Sequence, residues 1–128
     1  MSTASARTVG TDRPLVDEER AVLRWLLTHG TRDNAVYLRQ LDAARVVGHC
    51  GCGCASIDVA VDGRRAPEGR MIVLAQFQWR TREGHSCVAI VFEQGGLLAG
   101  LDLWSLDGRT VPSELPPIDA LVPMDAPG

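Results

Sequence analysis

Lysine is missing altogether from this chain of 128 residues, whose thirteen basic residues are all arginine. A catalytic lysine is thereby excluded. Arginine-only usage beside abundant Ala, Gly, Val and Asp reads as the coding bias of a GC-rich bacterial genome, a mark of origin and not of function. Long apolar runs are missing too. None approaches the roughly 20 residues that span a bilayer, and the polar start from Met1 to Arg13 lacks the apolar stretch of a signal peptide. No membrane association is expected, and the cytoplasm is the default location. Surplus positive charge is also absent, since the formal net charge is −3. That argues against a nucleic-acid partner, which calls for a basic face.

What is there suits one ordinary globular domain. The hydrophobic share of 45% beside 23% charged residues gives a chain of this length a core of its own. Residues 1–13 have too few large apolar side chains to offset ordering entropy and are expected to be a disordered tail. A single domain is expected over 14–118, followed by a flexible tail over 119–128.

Inside that domain, Ala21, Val22, Trp25 and Leu26 share one face of a helix expected from Asp17 to His29. Its first turn carries Asp17, Glu18 and Glu19, which suit the helix dipole, and Gly30 stops it. Asp33 or Asn34 can cap a shorter helix running to about Ala43. Strands are expected over 45–48, 56–62, 71–79, 86–93 and 97–104, joined by turns such as Gly95-Gly96. Helix–strand alternation is absent. The expected fold is therefore α+β: two N-terminal helices packed on one face of a mostly antiparallel sheet of about five strands.

The conspicuous feature is Cys50-Gly51-Cys52-Gly53-Cys54, preceded by His49. A second pair, His85 and Cys87, completes the cysteine inventory. Cytosolic thiols are kept reduced, so buried thiols, metal ligands or redox chemistry come before structural disulfides. In a regular strand the three thiols would stand roughly 6.6–7 Å apart along one face. Two sulfurs on one zinc ion cannot exceed roughly 4.6 Å. Gly51 and Gly53 allow the chain to fold back and remove that objection.

Three readings stay open. The cluster can supply two or three thiolates to zinc, with His49, His85 or Cys87 completing the set, although the spacing is not that of a C-x₂₋₄-C knuckle. A Cys-x-Cys disulfide can do redox chemistry, although the C-x-x-C spacing is lacking. The plainest reading is a buried turn of small thiols and glycines.

The other candidates read as structure. Arg64, Arg65, Arg70, Arg80 and Arg82 form a solvated surface, and Trp79 and Trp104 sit at sheet edges. Asp58, Asp62, Glu93 and Asp102 count as surface charge.

Several segments together resemble an uncharacterised family of small bacterial proteins frequent in actinobacteria. They are Leu15 to Leu23, Leu38-Arg39-Gln40-Leu41, Ala44-Arg45-Val46, Cys50 to Asp58, Gly96 to Trp104, and the Leu115-Pro116 tail. Members of that family carry arginine before the first cysteine and proline after the third, where this chain has His49 and Ala55. The resemblance implies no activity. Some relatives look like immunity proteins of toxin systems, which implies a protein partner. A non-enzymatic module that binds a protein or small ligand is the expected function. A zinc-binding or redox protein built on Cys50, Cys52 and Cys54 is the alternative.

Overall fold

The apolar face and acidic first turn of the leading helix produce the element they predict: α1 spans Asp17–His29, with Val22, Leu23, Leu26 and Leu27 buried. The computed structural model describes residues 8–30 and 32–124. Of the tails expected over 1–13 and 119–128, residues 1–7 and 125–128 lie outside the described residues. After α1 come α2 (Ala35–Leu41) and the strands β2 (Ala44–Cys50), β3 (Ile57–Val61) and β4 (Arg64–Arg65). The strands β5 (Ile72–Arg80), β6 (Ser86–Gln94) and β7 (Leu97–Ser105) then form a meander. A 3₁₀ turn, Ile118–Ala120, precedes β8 (Val122–Pro123), and β1 (Thr8–Pro14) precedes α1. None of the described helices is long and apolar enough to cross a membrane.

The fold is α+β with one antiparallel sheet, ordered β1-β2-β3-β7-β6-β5-β8, with β4 also paired to β3. The sheet therefore has eight strands among the described residues, not about five. The three additional strands left no periodic signal. β4 and β8 are two residues long. β1 falls largely in the segment expected to be a disordered tail; it is an edge strand of sequence TVGTDRP. Its register on β2 is held by backbone bonds and by Arg45, whose Nε lies 2.7 Å from Asp12 Oδ1. Residues 121–123, within the tail expected to be flexible over 119–128, are likewise anchored, since Leu121 is buried and β8 pairs with Phe77 and Gln78.

Buried side chains form two clusters. The larger joins Val22, Leu23, Leu26, Leu27 and Leu41 of the helices to Val46, Val59, Phe77, Ala89, Val91 and Leu101 of the strands. The smaller, Val88, Ile90, Phe92 and Ala99, contains no helical residue. Gln40 docks α2 onto β7, its Oε1 accepting from Leu98 N at 2.7 Å.

One buried charge ties β1 to α1. Glu19 is 6% exposed, receives Arg13 at 2.9 and 2.8 Å through both guanidinium NH₂ groups, and accepts from Val16 N at 2.9 Å. Burial alone would raise its pKa; the bonds from Arg13 and Val16 outweigh it and hold the carboxyl below its ordinary range. A depressed folded pKa gives stability that is present above the unfolded value, about 4.3, and is lost as pH falls through the folded one. Glu19→Gln should cost about 1–3 kcal/mol at neutral pH, the size of a charge-assisted hydrogen bond. Urea midpoints of the two proteins should converge on acidification. A gap that stays constant from neutral pH down to about pH 3 would show that the pair's charge contributes nothing.

Candidate functional site: the cysteine loop

The β2–β3 connection carries the three clustered cysteines. Val47 is an extra residue in β2, since Val46 pairs with Val59 and Gly48 with Asp58. That bulge shifts the register so that His49 pairs with Ile57, one residue before Cys50 ends the strand. The loop then folds back through Gly53, whose φ of 98° lies in the region that favours glycine. This is the backward turn expected of the glycines. It replaces the extended spacing with a cluster: the sulfurs of Cys50, Cys52 and Cys54 all lie within 4.8 Å of one another. Cys50 Sγ and Cys52 Sγ are in bonding contact, while Cys54 is a free thiol. Cys52 is exposed and the other two are half-buried. Cys52 N also donates to Cys50 Sγ at 3.3 Å.

Two clamps hold the far side of the loop. Ala55 N donates to Pro112 O at 2.9 Å, joining it to the C-terminal segment. Ser56 is the second clamp. Its Oγ accepts from Leu103 N at 2.8 Å and from the Cys54 thiol at 3.3 Å. The hydroxyl proton has two acceptors, Asp102 Oδ1 at 3.2 Å and Leu103 O at 3.3 Å. Neither Ser56 nor Asp102 was singled out for this role by sequence. They meet because β3 pairs with β7, Ile57 opposite Leu101 and Asp58 opposite Gly100, a neighbour relation that no local pattern announces.

A cavity of about 200 Å³ opens beside the loop, lined among others by His49, Cys50, Cys54, Ser56, Asp58 and Asp102. Asp58 and Asp102 were read as surface charge; both are half-buried against this cavity. Burial raises the pKa of each, opposed by Arg65 at Asp58 and by the Ser56 bond at Asp102, which Asp58's charge raises further.

His85 and Cys87 do not join the cluster. Cys87 lies in β6 and His85 immediately precedes that strand; β7 separates β6 from β3, and two strand spacings put the pair roughly 9–10 Å from β3 laterally. Cys87 is fully buried in the larger core cluster, and burial pushes its thiol pKa up against a bond with Ser105. His85 Nδ1 lies 3.5 Å from Asp107 Oδ2 instead of facing a thiol. His49 lines the cavity, but its ring makes one long contact, 3.5 Å to Cys50 O.

The remaining candidates divide between core and surface. Trp79 is buried and Trp104 is 37% exposed. Glu93 is buried and accepts from Tyr37 Oη at 3.0 Å and Gly96 N at 3.0 Å, a structural role. Asp62, Arg64, Arg65, Arg70, Arg80 and Arg82 are exposed. No protein-family model, curated protein or solved structure matches the chain.

Proposed function

We propose that the protein binds a zinc-class metal ion through the thiolates of Cys50, Cys52 and Cys54 and acts by holding it, not by catalysing a reaction. The observation that carries this reading is the convergence of three sulfurs within 4.8 Å on one short loop. Zinc–sulfur bonds of about 2.3 Å at tetrahedral angles set sulfurs roughly 3.8 Å apart, a spacing of the same order as the separations within this loop. Three thiolates leave the fourth tetrahedral position to water from the cavity, since His49 lines that cavity but does not join the sulfur group. Ser56 supports the site from behind. Once Cys54 is ionised, the Ser56 hydroxyl can turn its proton to the sulfur, as outer-shell partners of metal ligands do.

The interaction module expected from the sequence retains some support. Trp104 and Val73, each 37% exposed, pair with Val88 and Phe92 of the cluster that contains no helical residue. They would give a partner an apolar surface beside that second cluster. Such a module has no need of converging sulfurs, and that favours the metal.

Anaerobic purification of the reduced chain without affinity metals, followed by zinc titration against a chromophoric chelator, decides between them. One tightly held equivalent is expected, and cobalt(II) should give a thiolate charge-transfer band. Substoichiometric uptake with no protection of thiols from alkylation would return the protein to the interaction reading.

A further inference from the structure

We propose that the metal site is gated by oxidation: Cys50 and Cys52 close into a disulfide that takes two of the three thiolates from the ion. The proposal rests on the metal reading above and adds its regulation. The arrangement of one loop carries it: three sulfurs gather within 4.8 Å of one another, close enough to share an ion, and within that group the Cys50 and Cys52 sulfurs are bonded to each other while Cys54 remains free. The Cα atoms of Cys50 and Cys52 are 5.3 Å apart, within the 4.4–6.8 Å range that disulfides span.

Cys54 is kept out of the bridge. Its thiol is engaged by Ser56 Oγ, which Leu103 N fixes in turn. The fourth cysteine is out of reach, because Cys87 is 0% exposed. Cys52 is exposed and meets an oxidant first. The flanking glycines have no side chain to obstruct either geometry.

The oxidant class is a hydroperoxide. The Cys52 thiolate attacks the peroxide oxygen, the O–O bond breaks, and a sulfenic acid forms with release of water or an alcohol after protonation. The Cys50 thiolate then attacks the sulfenic sulfur, forming the S–S bond and expelling hydroxide, which takes a proton to become water. Two electrons pass from the two thiolates to the peroxide. The ion, left with Cys54 alone among the three thiolates, dissociates. A low-molecular-weight thiol or dithiol returns two electrons and restores the site.

The test uses the full chain loaded with zinc and titrated with hydrogen peroxide. Zinc release is followed with a chromophoric chelator, and disulfides are mapped by peptide mass spectrometry. One zinc should leave for every two thiols lost, with Cys50–Cys52 as the bridge and Cys54 and Cys87 alkylatable after denaturation. Reduction should restore uptake. Cys87→Ala should release zinc with the same stoichiometry. Zinc retained after the Cys50–Cys52 bridge has formed would overturn the gate and leave the metal reading intact. So would release through a bridge containing Cys54 or Cys87, or through sulfinic acid without any bridge. A reduced chain that takes no zinc fails before peroxide is added; that outcome removes the metal reading and the gate together.

Discussion

Cys54→Ser should reduce zinc affinity by well over the 10–100-fold that loss of an outer-shell partner brings. Serine keeps the size of the side chain and the contact with Ser56, but its hydroxyl is not ionised near neutral pH and is a poor zinc ligand. Two thiolates from Cys50 and Cys52 would remain, and those two are also free to oxidise each other. Ser56→Ala should fall in the 10–100-fold range itself, because it removes the group that orients Cys54 while leaving all three sulfurs in place. Chelator competition on both variants measures the series, and circular dichroism checks that they fold. Equal affinity for wild type and Cys54→Ser would sink the three-thiolate site, whatever Cys50 and Cys52 do.

Gly100→Ala should destabilise the protein by about 1–3 kcal/mol, the usual cost of overpacking a closed site. A Cβ on Gly100 would stand 2.6 Å from Ile57 O and 3.1 Å from the Phe92 ring. The first neighbour is backbone and cannot rotate away; relief requires β7 to move off β3. For a domain of about 100 residues, each kcal/mol lowers the melting temperature by about 4–8 °C, so the loss is easily read. Gly10→Ala is the control, since a Cβ there meets nothing within 4 Å. The strand displacement also bears on the cysteine loop, because Ser56 and its Leu103 anchor sit across this same β3–β7 seam. A Gly100→Ala protein that melts like wild type would mean the seam yields more readily than its contacts indicate.

These two effects mark the line between what sequence reveals and what it hides. The bounds of helix α1 were legible because Val22, Trp25 and Leu26 repeat at helical spacing behind an acidic first turn, but Ala21, read onto the same face, is exposed, and Leu23 and Leu27 are buried in its stead. The strands β3, β5, β6 and β7 were legible from apolar runs punctuated by glycine. The β1 strand was not. An edge strand with Gly10, Thr11 and Asp12 buries little, so its pairing leaves no alternation to read.

Within the site, the local part was readable and the long-range part was not. Glycines between cysteines announced a turn, and the structure adds that this turn brings the sulfurs close. The joining of Ser56 to Leu103 and Asp102 is a property of strand order, as is the separation of Cys87 from the loop by an intervening strand. His85 and Cys87 matched the chemistry of a ligand set and lay in the wrong part of the sheet.

The strand order also sets when the thiols become a finished site. All three cysteines emerge from the ribosome within five residues, but the Ser56 clamp waits for Leu103, 47 positions later, and the Ala55 clamp for Pro112. Contacts so distant along the chain form after local ones. A nascent chain therefore presents its sulfurs before it can orient Cys54, and any ion taken up at that stage sits in a soft, exchangeable loop. If the loop holds a metal as proposed, docking of β7 against β3 is the step that shapes the chelate.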